Sequence, residues 1–262
     1  MPAPDLQGPL DDFYKRTGEV KKIIVAIEAT IRNPGVLATS RTNAALASID
    51  AVTGNTANAM SMVLLASSFE EFVREEIGQC ADYLAGKYVG FQDNVKHSIR
   101  AAYWKGCLES LRFTGSILTT SEPRTPNPVS IGKIRNLLDS ARGFVVDDDA
   151  LQFNRAVFYR HSNNFRPHVV DEVGARLGIK NIIKNAADSS RIKNYFGVSR
   201  KNESYDKLKA KLEEFYERRN EIVHSLSGVT GYAVDVVLDY IVVFEMTAES
   251  IKVVLTKEIA GW

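Results

Sequence analysis

The stretch YERRNEIVHSLSG, Tyr216 to Gly228, gathers the residue types that phosphate chemistry requires. A guanidinium can hold a phosphate bidentately and stabilise negative charge that develops on it. An imidazole can take up or release a proton near neutral pH. Arg219 and His224 supply these two groups, and Asn220 adds a polar side chain directly after the arginine. A metal-free site of this composition suits cleavage of an RNA phosphodiester. Histidine would move the proton of the 2′-hydroxyl or of the leaving oxygen, and arginine would neutralise the phosphorane.

The element that carries these residues reads as a helix. In LKAKLEEFYERRNEIVH, Leu208, Leu212, Phe215 and Ile222 form one apolar stripe, and Arg219 falls inside it. Arg218 points more outward. A buried guanidinium without a partner is costly, so Arg219 needs an acceptor. Glu70, Glu71 or a substrate phosphate could serve. Asn220 and His224 share a face, but Arg219 and His224 lie roughly 140° apart around an ideal helix. They converge if the helix ends or turns at His224, where SLSG follows, or if a second subunit supplies half of the site. The plainer alternative is a core Arg–Glu salt bridge with a terminal His⁺ facing the helix dipole.

The rest of the chain must position this helix. The 262 residues are 45% hydrophobic and 25% charged with a formal net charge of +1. That composition is ordinary for a globular protein and gives no global electrostatic argument for nucleic acid or membrane. Helical periodicity dominates, and the expected fold class is all-α: an up-and-down bundle of long helices with an inserted region of short ones. Long helices are expected over about 11–31, 55–88, 91–118, 205–226 and 232–257. The last is apolar around much of its circumference, which suits a central or interfacial helix. TTSEPRTPNPVS marks a break, and three short helices are expected within about 119–204. This divides the chain into an N-terminal helical segment, 1–54, and a helical domain, 55–262, with an insertion.

Other features admit both a functional and a plain reading. FYRHSNNFRPH interleaves aromatic residues with Arg160, His161, Arg166 and His168, a mixture that can stack bases and hold phosphates or simply be a loop with core aromatics. From Arg176 to Lys211 the chain is rich in Lys and Arg, including Lys180 and Lys184. Such a run is either an RNA-facing surface or a solvated face. VVDEVGARLGIKNIIKNA has a faint helix-turn-helix look without a clear recognition helix. Cys80 and Cys107 read as buried free thiols, no zinc spacing occurs, and the aspartates of FVVDDDAL lack calcium-loop spacing. No metal and no cofactor are expected. MVLLA and YIVVF are too short to span a bilayer, and the N-terminus lacks a signal-peptide core. The expectation is a cytoplasmic protein without a membrane partner.

Three segments in order then show a resemblance. ERRNEIVH resembles the Arg-x(4–6)-His motif of the HEPN superfamily. LLASSFEEFVREEI resembles the acidic, aromatic early helix of RiboL-PSP-type members, and RHSNNFRPHVVDEVGARLGI resembles their middle segment. HSLSG departs mildly from the more usual His-Gly. The resemblance implies a helical bundle that dimerises with two motifs meeting at a shared cleft. It also implies metal-independent endoribonuclease activity that leaves a 2′,3′-cyclic phosphate and a 5′-hydroxyl, in toxin–antitoxin or anti-phage systems. Arg219 and His224 would be catalytic and Asn220 assisting; Glu70 or Glu71 could position Arg219; Arg160, His161, Arg166, Lys180, Lys184 and Arg218 could contact RNA. The implied partners are RNA, with tRNA among the candidates, a second copy of the chain, and an antitoxin or defence-system protein. Two other readings stay open: a non-catalytic dimerisation or nucleotide-sensing module, and a nucleic-acid-binding regulator.

Overall fold

The computed structural model describes residues 3–33, 49–112, 125–224 and 232–262. Among these residues the regular structure is helical: α1 (Gln7–Arg32), α2 (Ala51–Lys87), α3 (Asp93–Arg112), α4 (Pro128–Ala141), α5 (Ala156–Tyr159), α6 (Pro167–Arg176), α7 (Ile182–Ala186), α8 (Ser190–Phe196), α9 (Lys201–His224) and α10 (Val234–Ile259). The fold is all-α, as the periodicity requires. No helix among the described residues is long and apolar enough to cross a membrane.

The stripes read from sequence become one core. Phe13 meets Phe72 at 5.5 Å between ring centroids, Phe69 meets Phe244 at 4.8 Å, and Phe215 meets Phe244 at 4.5 Å. Burying each such ring contributes about 2–3 kcal/mol, so α1, α2, α9 and α10 are held by a shared aromatic centre. Side-chain pairs give their directions. Phe13 lies against Phe69 and Phe72 while Ile31 crowds Gly54, so α1 and α2 are antiparallel. Asn58 donates to the Tyr232 carbonyl at 2.7 Å near the starts of α2 and α10, which therefore run the same way. Lys211 reaches Asp239 and Arg218 reaches Tyr232, so α9 opposes α10. The four long helices alternate up and down.

Helix α1 joins this core fully. Leu10, Phe13, Thr17, Val20 and Ile24 are buried. The buried Glu245 of α10 accepts from Thr17 Oγ1 at 2.7 Å and from Lys21 Nζ at 2.8 Å. The β-branched residues of α10 do not break it, because burial on α1, α2, α7 and α8 outweighs their small propensity cost.

The short helices cover a second aromatic cluster. Tyr103, Phe144, Phe153 and Phe158 pack ring against ring, with Tyr103 and Phe144 centroids 4.7 Å apart. Asn154 N–H donates to the Tyr103 hydroxyl at 3.0 Å. Cys80 and Cys107 are buried and unpaired, and burial pushes both thiols up, Cys107 to about 12. Asp149 ends as a cap, accepting from Leu151 N–H. The helix-turn-helix look reduces to α6, a turn at Gly178 with φ +84°, and α7. With five residues, three of them buried, α7 offers no recognition helix.

Candidate functional site

The site forms where segment 160–168 crosses the C-terminal half of α9. Phe165 anchors the segment at 0% exposure, with the Arg74 guanidinium 5.0 Å over its ring. Pro167 then starts α6, its fixed φ suiting the first helical position. Two polar ties hold the segment to α9. Arg166 Nη1 reaches Glu213 Oε2 at 2.7 Å, and Asn164 Nδ2 donates to Asn220 Oδ1 at 3.0 Å. From behind, the buried Arg176 donates to the carbonyls of Val157, Phe158 and Arg160 and pairs with Glu109.

These contacts leave an open groove of about 490 Å³, bordered by Asn164, Arg166, His168, Arg219, Asn220 and His224. Arg219 and His224 thus meet along one groove of one chain. Helix α9 stays helical up to His224, the residue at which the sequence suggests its end. The SLSG turn lies outside the described residues.

Among the described residues, Arg219 makes no core salt bridge. Its Nη1 donates to Asn220 Oδ1 at 3.2 Å, and its buried Nε has no hydrogen-bond partner among the described residues. Glu70 lies close enough to feel Arg219 but pairs with Arg74 at 3.4 Å, and its Oε1 is likewise unpartnered. Burial raises the Glu70 carboxyl above its ordinary range, an effect only partly offset by Arg74, the Phe165 amide and Arg219. Tyr216, at 0% exposure, lies beneath, its hydroxyl without a hydrogen-bond partner among the described residues. Burial, reinforced by the Glu70 charge, pushes that hydroxyl far up, so it stays a neutral phenol. Unsatisfied buried polar atoms are rare in folded proteins.

The other expected residues divide by location. Arg160 and His161 border an adjoining hollow of about 330 Å³ that shares Ser162 and Asn163 with the groove. His161 is a loop fastener: Nδ1 accepts from Asn163 N–H at 3.0 Å and Nε2 lies 3.4 Å from Glu172. Glu71 is exposed and borders a separate groove with Asp12 and Arg16 of α1, because one step along α2 turns it about 100° from Glu70. Arg218 does not stand free in solvent; it pairs with Glu214 at 2.6 Å and lies 5.4 Å over the Tyr232 ring. Lys180 and Lys184 do not border the groove, and Lys184 Nζ sits 6.0 Å over Tyr205. Much of the basic run is matched by acids: Lys193 and Lys201 by Asp188, Lys211 by Asp239, Arg191 by Glu249. Arg176, read as part of that run, is a buried clamp.

Sequence reasoning did not single out Asn164, Glu213, Tyr216 or Arg74. Their roles come from tertiary pairing and leave no local pattern. His168 did have a signal, its place in FYRHSNNFRPH.

An up-and-down helical bundle with an arginine, an asparagine and a histidine bordering a groove at the end of one long helix points to a class of protein. The RiboL-PSP-HEPN family model matches residues 11–257, and the chain belongs to that family. Comparison with curated proteins and with solved structures finds no significant match.

Proposed function

We propose that the protein is a metal-independent endoribonuclease that cleaves RNA by transesterification. The observation that carries this reading is the state of Arg219. Its guanidinium borders an open groove beside Asn220 and His224, without a carboxylate in ion-pair distance among the described residues. A substrate phosphate is the partner that such a group lacks. His224 moves the proton of the 2′-hydroxyl, Arg219 stabilises the phosphorane, and Asn220 holds the Arg219 fork through its side-chain oxygen. Glu70 positions Arg219 electrostatically from below. Arg166 and, in the adjoining hollow, Arg160 and His161 flank the RNA backbone. A second copy of the chain is the proposed partner that deepens the shallow groove, and family membership supports a toxin or anti-phage role.

The test uses purified protein and cellular RNA or tRNA in EDTA. Cleavage by the wild type, lost in both Arg219→Ala and His224→Ala and yielding cyclic-phosphate ends, supports the reading. Persistent cleavage by both variants overturns the site, and absence of cleavage on any RNA overturns the activity. Growth arrest on expression, relieved by His224→Ala, tests the toxin role.

A further inference from the structure

Transesterification of RNA needs two proton transfers: one from the attacking 2′-hydroxyl and one to the departing 5′-oxygen. In an in-line displacement these atoms lie on opposite sides of phosphorus, so a single imidazole cannot serve both at once. The chain has four histidines, and two of them, His168 and His224, border the same groove. They come from different elements, His168 from the first turn of α6 and His224 from the last turn of α9.

We propose that His168 is a second catalytic residue, the general acid, with His224 as the general base; the assignment rests on the ribonuclease reading of the groove. His168 is accessible, with 58% of its side chain exposed. Its Nδ1 lies 3.9 Å from Glu213 Oε1, the carboxylate whose other oxygen holds Arg166 at 2.7 Å. A carboxylate on the Nδ1 side leaves Nε2 for the substrate, the arrangement that orients imidazoles in acid–base catalysis. Asp171, three residues on in α6, also senses the His168 charge. His224, across the groove, has no carboxylate within ion-pair distance among the described residues. The platform under His168 is fixed, because Phe165 is buried and Asn164 and Arg166 are tied to α9.

The step balances. His224 takes the 2′-hydroxyl proton as the O2′–P bond forms. The P–O5′ bond breaks, and the His168 proton goes to O5′. The products are a 2′,3′-cyclic phosphate and a 5′-hydroxyl, with Arg219 beside the phosphorane oxygens.

The test compares two leaving groups on one oligoribonucleotide that the wild type cuts. One version is unmodified; the other carries sulfur for the bridging 5′-oxygen, which departs as a thiolate without protonation. His168→Ala should slow the unmodified version by about 10²–10⁴-fold and the sulfur version by less than about tenfold. His168→Gln should behave the same way, which separates the lost proton from lost bulk. His224→Ala should lose both versions. Equal loss on both versions, or no loss on the unmodified one, overturns the assignment while leaving the ribonuclease reading intact. If the wild type cuts no RNA, that reading falls and the assignment falls with it.

Discussion

Glu70 and Arg219 lie within range of each other's charge without forming a salt bridge; Glu70 pairs with Arg74 at 3.4 Å instead. Arg219 therefore keeps its fork for the groove, held at one point by Asn220. A full bidentate pair with Glu70 would neutralise the guanidinium on which the proposed chemistry rests.

Glu70→Gln tests that relationship. The amide keeps the shape and removes a charge that burial disfavours. The melting temperature should stay within a few degrees of wild type, with cleavage falling about tenfold as Arg219 loses its electrostatic guide. Thermal melts and single-turnover cleavage measured together check both halves.

Arg219 variants should separate charge from shape. Arg219→Ala removes a transition-state contact and should cost about 10²–10³-fold in kcat. Arg219→Lys keeps the charge but not the planar fork, and should recover less than a tenth of the lost rate. Circular dichroism should show both folded, since no described ion pair is lost.

Glu76 predicts a pH dependence of stability. It is 0% exposed in the bundle core, neither oxygen has a hydrogen-bond partner among the described residues, and burial pushes its carboxyl up to about 8. The folded state keeps the proton that the unfolded chain gives up near pH 4.5. Its stability contribution is thus complete below that pH and is lost as pH rises to about 8, at up to about 1.4 kcal/mol per pH unit. Glu76→Gln should flatten this slope in urea unfolding between pH 5 and 8; an unchanged slope would show that Glu76 ionises freely in the fold.

Arg166→Ala should uncouple segment 160–168 from α9. The pair it breaks is about three-quarters buried on both sides, so about 1 kcal/mol of stability should go, after allowance for solvent screening. Cleavage should suffer more than that, because His168 and Asn164 lose their platform. Hydrogen exchange should rise in residues 162–168 and stay unchanged in α1 and α10.

The stripe Leu208, Leu212 and Phe215 was legible because α9 buries one continuous face, and that same stripe placed Arg219. The resemblance to the family rested on three short segments, and the match extends over 11–257. Segment 160–168 was not legible in the same way. Its position is fixed by pairs 47 and 56 residues apart, Arg166–Glu213 and Asn164–Asn220, which no local period encodes. The helix end expected at His224 coincides with the last described residue of α9, and Arg219 and His224 border one groove together with residues of the crossing segment. The four-residue α5 and seven-residue α8 are too short to show periodicity. The pairing within the basic run was not legible because the acids that neutralise Lys211 and Arg191 lie on α10, far along the chain.

Asn220 carries a consequence for which guests the groove admits. Its side-chain oxygen accepts from both Arg219 Nη1 and Asn164 Nδ2, so neighbouring donors dictate which end of the amide is oxygen. Only its NH₂ remains to greet an incoming molecule, beside a guanidinium that can donate but never accept. A guest rich in lone pairs satisfies such a lining. One whose nonbridging oxygen has been exchanged for a methyl group leaves donors stranded, so the groove should discriminate a phosphodiester from a methylphosphonate of nearly the same shape.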